Sequence, residues 1–249
     1  MFDNPWFQNV LSEFIALGII FLVGVIIYWS VGRRKLLNFF GLKSQKRIIL
    51  YLSNIRVTRG GSIGVDNTPR AFSGDAIAAN EARLIPYFQR LFNFIVPQVK
   101  SLPGFLKFLL LSDISADFLL SPLQSGDVER SSTFIAVGSP GYNKASQHIE
   151  EAFHPIAKFT DDNASFVLQD VPPITDLKTS FVQRVFNQAT GQTAFYVAGM
   201  SPLGTNGAMY FLITRWDYLV KKYPENTPFC VVLKISSDDG LKHEILFER

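Results

Sequence analysis

Two stretches of this 249-residue chain place glycine and small polar side chains directly behind an apolar run. In the first, Thr133–Val137 leads into Gly138-Ser139-Pro140-Gly141-Tyr142-Asn143, and in the second Ala194–Ala198 leads into Gly199-Met200-Ser201-Pro202-Leu203-Gly204-Thr205. Apolar residues recur at helical spacing after each loop, so both read as strand, tight turn, helix. A turn of that kind turns unpaired backbone N–H groups and the positive end of a helix dipole toward the carboxyl edge of a sheet, which suits phosphate or another anion. Gly138, Ser139, Asn143, Gly199, Ser201, Gly204 and Thr205 are therefore the candidate ligand contacts, with Asn143, Ser201 and Thr205 adding side-chain hydrogen bonds. Gly60 and Gly61, with Gly64, open the glycine-rich stretch Arg59–Gly74 and are expected to form a third loop on the same cleft. The plainer alternative for all three is that glycine simply serves tight connections.

Carboxylate chemistry at such a cleft has one candidate, Glu81, in the helix expected to follow the glycine-rich stretch. It faces either the cleft or, as exposed glutamates usually do, solvent. Asp75 reads as a first-turn residue that satisfies the helix dipole. His148 and His154 stand six apart and do not share a helix face, and His243 lies near the terminus, so no metal site is expected. Ser139 lacks the glycine spacing of a hydrolase nucleophile elbow, since Pro140 follows it. The single cysteine, Cys230, excludes an intramolecular disulfide and sits in the apolar run Phe229–Leu233, where a buried thiol is inert. No cofactor is called for by these residues.

The elements that must position these groups alternate. Ile48–Ser53 is apolar and β-branched and reads as the first strand; Asp75–Phe94 carries Ile77, Leu84, Ile85, Phe88, Leu91 and Phe92 at helical spacing, with a kink expected at Pro86. Asp117–Ser121 is a short strand edge, and Leu106–Leu111 is too short to assign. Lys144–Phe153 is a helix, Phe181–Phe186 and Ala194–Ala198 are strands joined by a turn, and Asn206–Tyr223 is a helix ended by Pro224. Phe229–Ile235 and Glu244–Phe247 close the chain as a hairpin through the Asp239-Gly240 step. Strands alternating with helices predict an α/β sandwich of three layers with a mostly parallel sheet and antiparallel strands near the C-terminus.

Ahead of all this stands Phe14–Val31, eighteen residues without a charge. At ~1.5 Å per residue such a helix nearly spans the ~30 Å hydrocarbon core of a bilayer, and it reads as one transmembrane helix. No Lys or Arg precedes it, whereas Arg33, Arg34, Lys35, Lys43, Lys46 and Arg47 follow, so the N-terminus is expected outside and the remainder in the cytoplasm. Residues 1–42 are thus read as anchor and juxtamembrane helix, with Gly41 as its stop, and 43–249 as one cytoplasmic domain. The net charge of +3 is concentrated beside the bilayer, where anionic lipid is the natural counter-charge. A basic stripe interleaved with aromatics is absent from the rest, which argues against a nucleic-acid partner.

The segment Pro202-Leu203-Gly204-Thr205-Asn206-Gly207-Ala208 resembles a degenerate form of the Pro-Gly-Gly-x-Gly-Thr-x-x-Glu motif of the LOG/SLOG group of Rossmann-like proteins. It is also similar to the Gly-Thr-x-x-Glu stretch of nucleoside deoxyribosyltransferases, whose first strand Leu50-Tyr51-Leu52 echoes. Gly204 and Thr205 match; the double glycine is lost, and Ala208 stands where those enzymes carry glutamate. The resemblance implies a Rossmann-like domain and a nucleotide or nucleotide-derived ligand. The loss of the carboxylate favours a sensor or effector over an enzyme, because alanine is neither acid nor nucleophile. Joined to a membrane helix, the pattern resembles prokaryotic antiviral effectors that respond to nucleotide messengers by assembly, which implies a homo-oligomer. A membrane-tethered nucleoside or NAD glycosidic-bond hydrolase or transferase is the alternative if Glu81 faces the cleft, and a non-catalytic scaffold is the third.

Overall fold

The computed structural model describes residues 17–20, 23–24, 31–32, 34–42, 47–63, 69–76, 79–92, 115–122, 124–237 and 241–249. Its strands are β1 (Arg47–Leu52), β2 (Ile55–Ile63), β3 (Pro69–Ala76), β4 (Ser115–Leu120), β5 (Thr133–Val137), β6 (Ala157–Phe159), β7 (Phe166–Leu168), β8 (Val171–Ile174), β9 (Thr179–Phe186), β10 (Thr193–Gly199), β11 (Phe229–Ile235) and β12 (His243–Glu248). The helices are α1 (34–39), α2 (Ala79–Ala82), α3 (Ile85–Phe92), α4 (Lys144–Ala152) and α5 (Pro202–Lys222).

Seven strands form one sheet in the order β12-β11-β9-β10-β5-β1-β4. From β4 through β1 and β5 to β10 the pairing is parallel. From β10 through β9 and β11 to β12 it is antiparallel. The sequence dictates this centre, because Ile48–Leu52, Thr133–Val137 and Ala194–Gly199 are buried at every position, as strands covered on both faces must be. One face packs Leu50, Val137, Phe195 and Val231 under α1, α3 and α5; the other packs Ile49, Phe134, Tyr196 and Val232 under α4 and the small sheet β6-β7-β8. The result is a mixed α/β fold with cover on both faces of the sheet.

The small sheet was not legible as strands, since Phe166–Leu168 and Ala157–Phe159 are too short to show a period. It is fastened by the buried Gln183 of β9, whose side-chain oxygen accepts from the Ile156 and Ala157 N–H groups at 3.0 and 3.1 Å and whose amide donates to the Ala157 carbonyl at 2.6 Å.

The expected loop Arg59–Gly74 is instead most of a hairpin. β2 pairs antiparallel with β3, with an irregularity between Val57 and Gly60. Glycine there punctuates a bulged ribbon rather than a loop. Asp75 accordingly lies in β3, opposite Arg56, and not in the first turn of a helix. The helical stretch beyond it is two pieces, and Pro86 occupies the first turn of α3, where a missing N–H costs nothing.

Helix α1 ends as expected at Gly41. Leu42 N donates to Leu37 O at 2.8 Å and Gly41 N to Asn38 O at 3.1 Å, with Gly41 at φ 68°, the Schellman arrangement. Leu36, Phe39, Phe40 and Leu42 are nonetheless part of the main core, so the packed unit reaches N-terminal of Lys43. Most of the apolar stretch Phe14–Val31 lies outside the described residues, as do Gly64, Leu106–Leu111 and the Asp239-Gly240 step. Among the described residues no helix is long and apolar enough to cross a membrane. The described apolar side chains of that stretch, Leu17, Ile19, Ile20, Val23 and Val31, are all exposed.

Candidate functional site

The strand order reverses at β1. It pairs with β4 on one side, and the chain then crosses to place β5 on the other. Ligands of open α/β sheets bind outside the carboxyl ends of the strands at such a reversal. Here the residues at that position are Ser53, just past β1, and Gly138, just past β5.

Gly138 has φ 99°, and a Cβ on it would stand 2.2 Å from Ser53 Oγ, so only glycine fits. Ser53 in turn meets Glu81 of α2 twice: its N–H donates to Oε2 at 2.9 Å and its hydroxyl lies 2.7 Å from Oε1. The same hydroxyl is 3.1 Å from the Val137 carbonyl. Glu81 is 6% exposed and has no basic partner among the described residues, so it does not face solvent as an exposed glutamate would. Burial pushes its carboxyl pKa up, against the two Ser53 hydrogen bonds that pull it down.

A proton count distinguishes the two forms of Glu81. Ser53 has a single hydroxyl hydrogen, and an ionised Glu81 takes it, leaving Val137 O without that donor. A protonated Glu81 donates to Ser53 Oγ, which frees the serine hydrogen for Val137 O.

The two glycine loops stand side by side, since Gly138 N donates to Val197 O of the neighbouring strand at 2.9 Å. Their side chains, however, are engaged in holding the turns. Asn143 is fully buried; its amide donates to Tyr51 O and Val137 O at 2.9 and 2.8 Å, and its oxygen caps α4 through Ala145 N. Ser201 caps α5 by accepting from Gly204 N at 3.1 Å and donates to Leu177 O at 2.6 Å. Thr205 accepts from Gly199 N at 3.1 Å. Gly199 and Gly204 are demanded by packing: a Cβ on Gly199 would lie 2.5 Å from Thr205 N, and one on Gly204 3.1 Å from Thr179 O. Ser139 is part-exposed, and its carbonyl accepts from Tyr142 N and Asn143 N to close the turn.

Gly60 and Gly61 lie within β2, paired with Phe72 and Ala71, and not in a loop at the sheet edge. Among the described residues no cluster of His, Cys, Asp and Glu could hold a metal. His148 and His243 pack against aromatic rings, and burial lowers both pKa values. Sequence reasoning missed Ser53; its signal was position alone, directly behind the first strand. No family model, curated protein or solved structure matches this chain.

Proposed function

We propose that the chain is a membrane-tethered sensor or effector whose α/β domain takes a nucleotide-derived anion at the carboxyl edge of its parallel strands, between the Gly138 and Gly199 connections. The observation that carries this reading is the reversal of strand order at β1, with a glycine held at positive φ beside it. Two helices of opposite faces, α4 and α5, begin on that edge, so an anion lying across it meets both positive ends. Specificity falls to backbone groups and to part-exposed Ser139, because Asn143, Ser201 and Thr205 are occupied internally.

The buried Glu81 favours one second reading, a tethered glycosidic-bond hydrolase or transferase. A carboxyl whose pKa is raised by burial suits the role of general acid for a departing base. One experiment separates the two. Full-length protein in neutral detergent is titrated calorimetrically with mono-, di- and cyclic nucleotides and NAD, and the same mixtures are assayed for free base or nicotinamide. The sensor reading expects binding without turnover, and Ser139→Asp weakens it at least tenfold by setting a negative charge at the loop. Base release abolished by Glu81→Gln moves the enzyme ahead. Absence of binding to every nucleotide, or unchanged binding by Ser139→Asp, overturns the site.

A further inference from the structure

At the opposite edge of the sheet lies a cavity of about 190 Å³ lined by Lys35 and Asn38, Phe39, Arg184 of β9, Val220, Tyr223 and Glu225. Lys35, Asn38 and Phe39 come from α1, the helix that follows the apolar stretch; Val220, Tyr223 and Glu225 come from the end of α5 and the turn beyond it. Arg184 is 1% exposed and is the largest fully buried side chain of the described residues. Its guanidinium is bonded to carbonyls alone: Nε and Nη2 to Thr227 O, Nη2 to Pro224 O, and Nη1 to Phe39 O. Four of its five N–H groups are thereby used, and one on Nη1 remains. Rings of Phe39 and Phe229 lie 5.2 and 5.1 Å from it.

A buried cation without a hydrogen-bonded carboxylate is costly. Burial lowers the Arg184 pKa to about 10, which leaves it charged at neutral pH, and exposed Glu225 acts on it by charge without a hydrogen bond. Tyr223, on the same wall, is more than nine-tenths buried, and its hydroxyl has no hydrogen-bond partner. Lys35 is exposed at the rim and makes no ion pair among the described residues. Two cations, the exposed Glu225 carboxylate and an idle donor line one hollow, which leaves the lining with an excess of positive charge. Its volume decides the size, because clefts for drug-sized ligands run to ~300–1,000 Å³. A whole nucleotide is too large, while a phosphate group with its ester atoms fits.

We propose that this cavity binds a phosphate-ester anion, held by Lys35, the remaining Arg184 N–H, the Asn38 amide and the Tyr223 hydroxyl. Two sources share that chemistry, a free phosphate and the headgroup of an anionic lipid reached from the apolar stretch through α1. The inference does not rest on the nucleotide site, which lies on the other edge of the sheet.

The test uses full-length protein in neutral detergent and two probes, labelled inorganic phosphate followed by equilibrium dialysis and phosphatidylglycerol followed by native mass spectrometry. At least one probe binds, and Tyr223→Phe weakens it about tenfold, the effect of losing one hydrogen bond to a charged group. Without probe, the same variant unfolds at the wild-type temperature or above it, since the hydroxyl it removes has no partner. Lys35→Gln, at an exposed position, shows a comparable loss of binding. Retention of phosphatidylglycerol alone assigns the lipid, and phosphate binding assigns a soluble ion. Failure of both probes, or lipid retention indifferent to Tyr223→Phe, overturns the proposal; indifferent retention is plain attraction to the basic cluster Arg33–Lys35.

Discussion

Glu81 and Arg184 are each buried among neutral partners, one at either edge of the sheet, and the energetics of both follow from that. For Glu81 the sign is definite. Its unfolded pKa is near 4.5 and burial raises the folded value. Between the two the native state holds a proton that the unfolded chain has released, so stability is greatest below the unfolded value and falls as pH rises through the folded one. Glu81→Gln removes that titration while keeping an acceptor for Ser53 N and a donor for its hydroxyl. Urea unfolding across a pH series should therefore show the wild type losing stability relative to the variant between about pH 4.5 and neutrality. A difference that stays constant over that range would show that Glu81 ionises alike folded and unfolded. Nothing in the sequence revealed this, because a glutamate in a short helix reads as solvated until the end of β1 is seen against it.

Strand-to-helix connections were the most legible elements, since apolar β-branched runs followed by glycine and a capping residue leave few alternatives. Thr133–Val137 with Lys144–Ala152, and Thr193–Gly199 with Pro202–Lys222, stand close to where periodicity put them. The hairpin β2–β3 was misread because its pairing is carried by backbone and its glycines mimic a loop. At the end of the expected anchor, Leu36, Phe39, Phe40 and Leu42 form an apolar stripe that suits a bilayer or a core equally, and in the fold it joins the main core. That placement has a measurable consequence. A fragment beginning at Lys43 loses all four side chains, worth ~1.5–3 kcal/mol each on burial, or roughly 6–12 kcal/mol together against a typical total of ~5–15. The fragment from Lys43 should be unfolded or aggregated by circular dichroism and gel filtration, whereas one beginning at Arg33 folds cooperatively. A stable fragment from Lys43 would mean that α1 is an accessory to the domain.

On the scale of the whole molecule the proposed ligand site and the attachment of α1 lie at opposite edges of the sheet. Gly41 lies against Thr133 and Thr193, the first residues of β5 and β10, so α1 joins the domain at its amino edge. Ser53, Gly138 and Gly199 stand at the carboxyl ends of the same parallel strands. A tether entering through α1 therefore leaves the candidate ligand edge turned away from the apolar stretch, reachable from water. The cavity around Arg184 lies at that amino edge, touching α1 itself and the end of α5, which begins at the carboxyl edge and finishes at the amino one. This arrangement makes sense only if the domain and the basic residues after Phe14–Val31 share one side of the bilayer. On the reading that Phe14–Val31 crosses a bilayer, the absence of Lys and Arg before that stretch, and Arg33, Arg34 and Lys35 after it, predict that this side is the cytoplasm. With tags at both ends in sealed cells, external protease should remove the N-terminal tag and spare the C-terminal one. The reverse result would reverse the orientation, and protection of both tags would mean that Phe14–Val31 does not cross the bilayer at all.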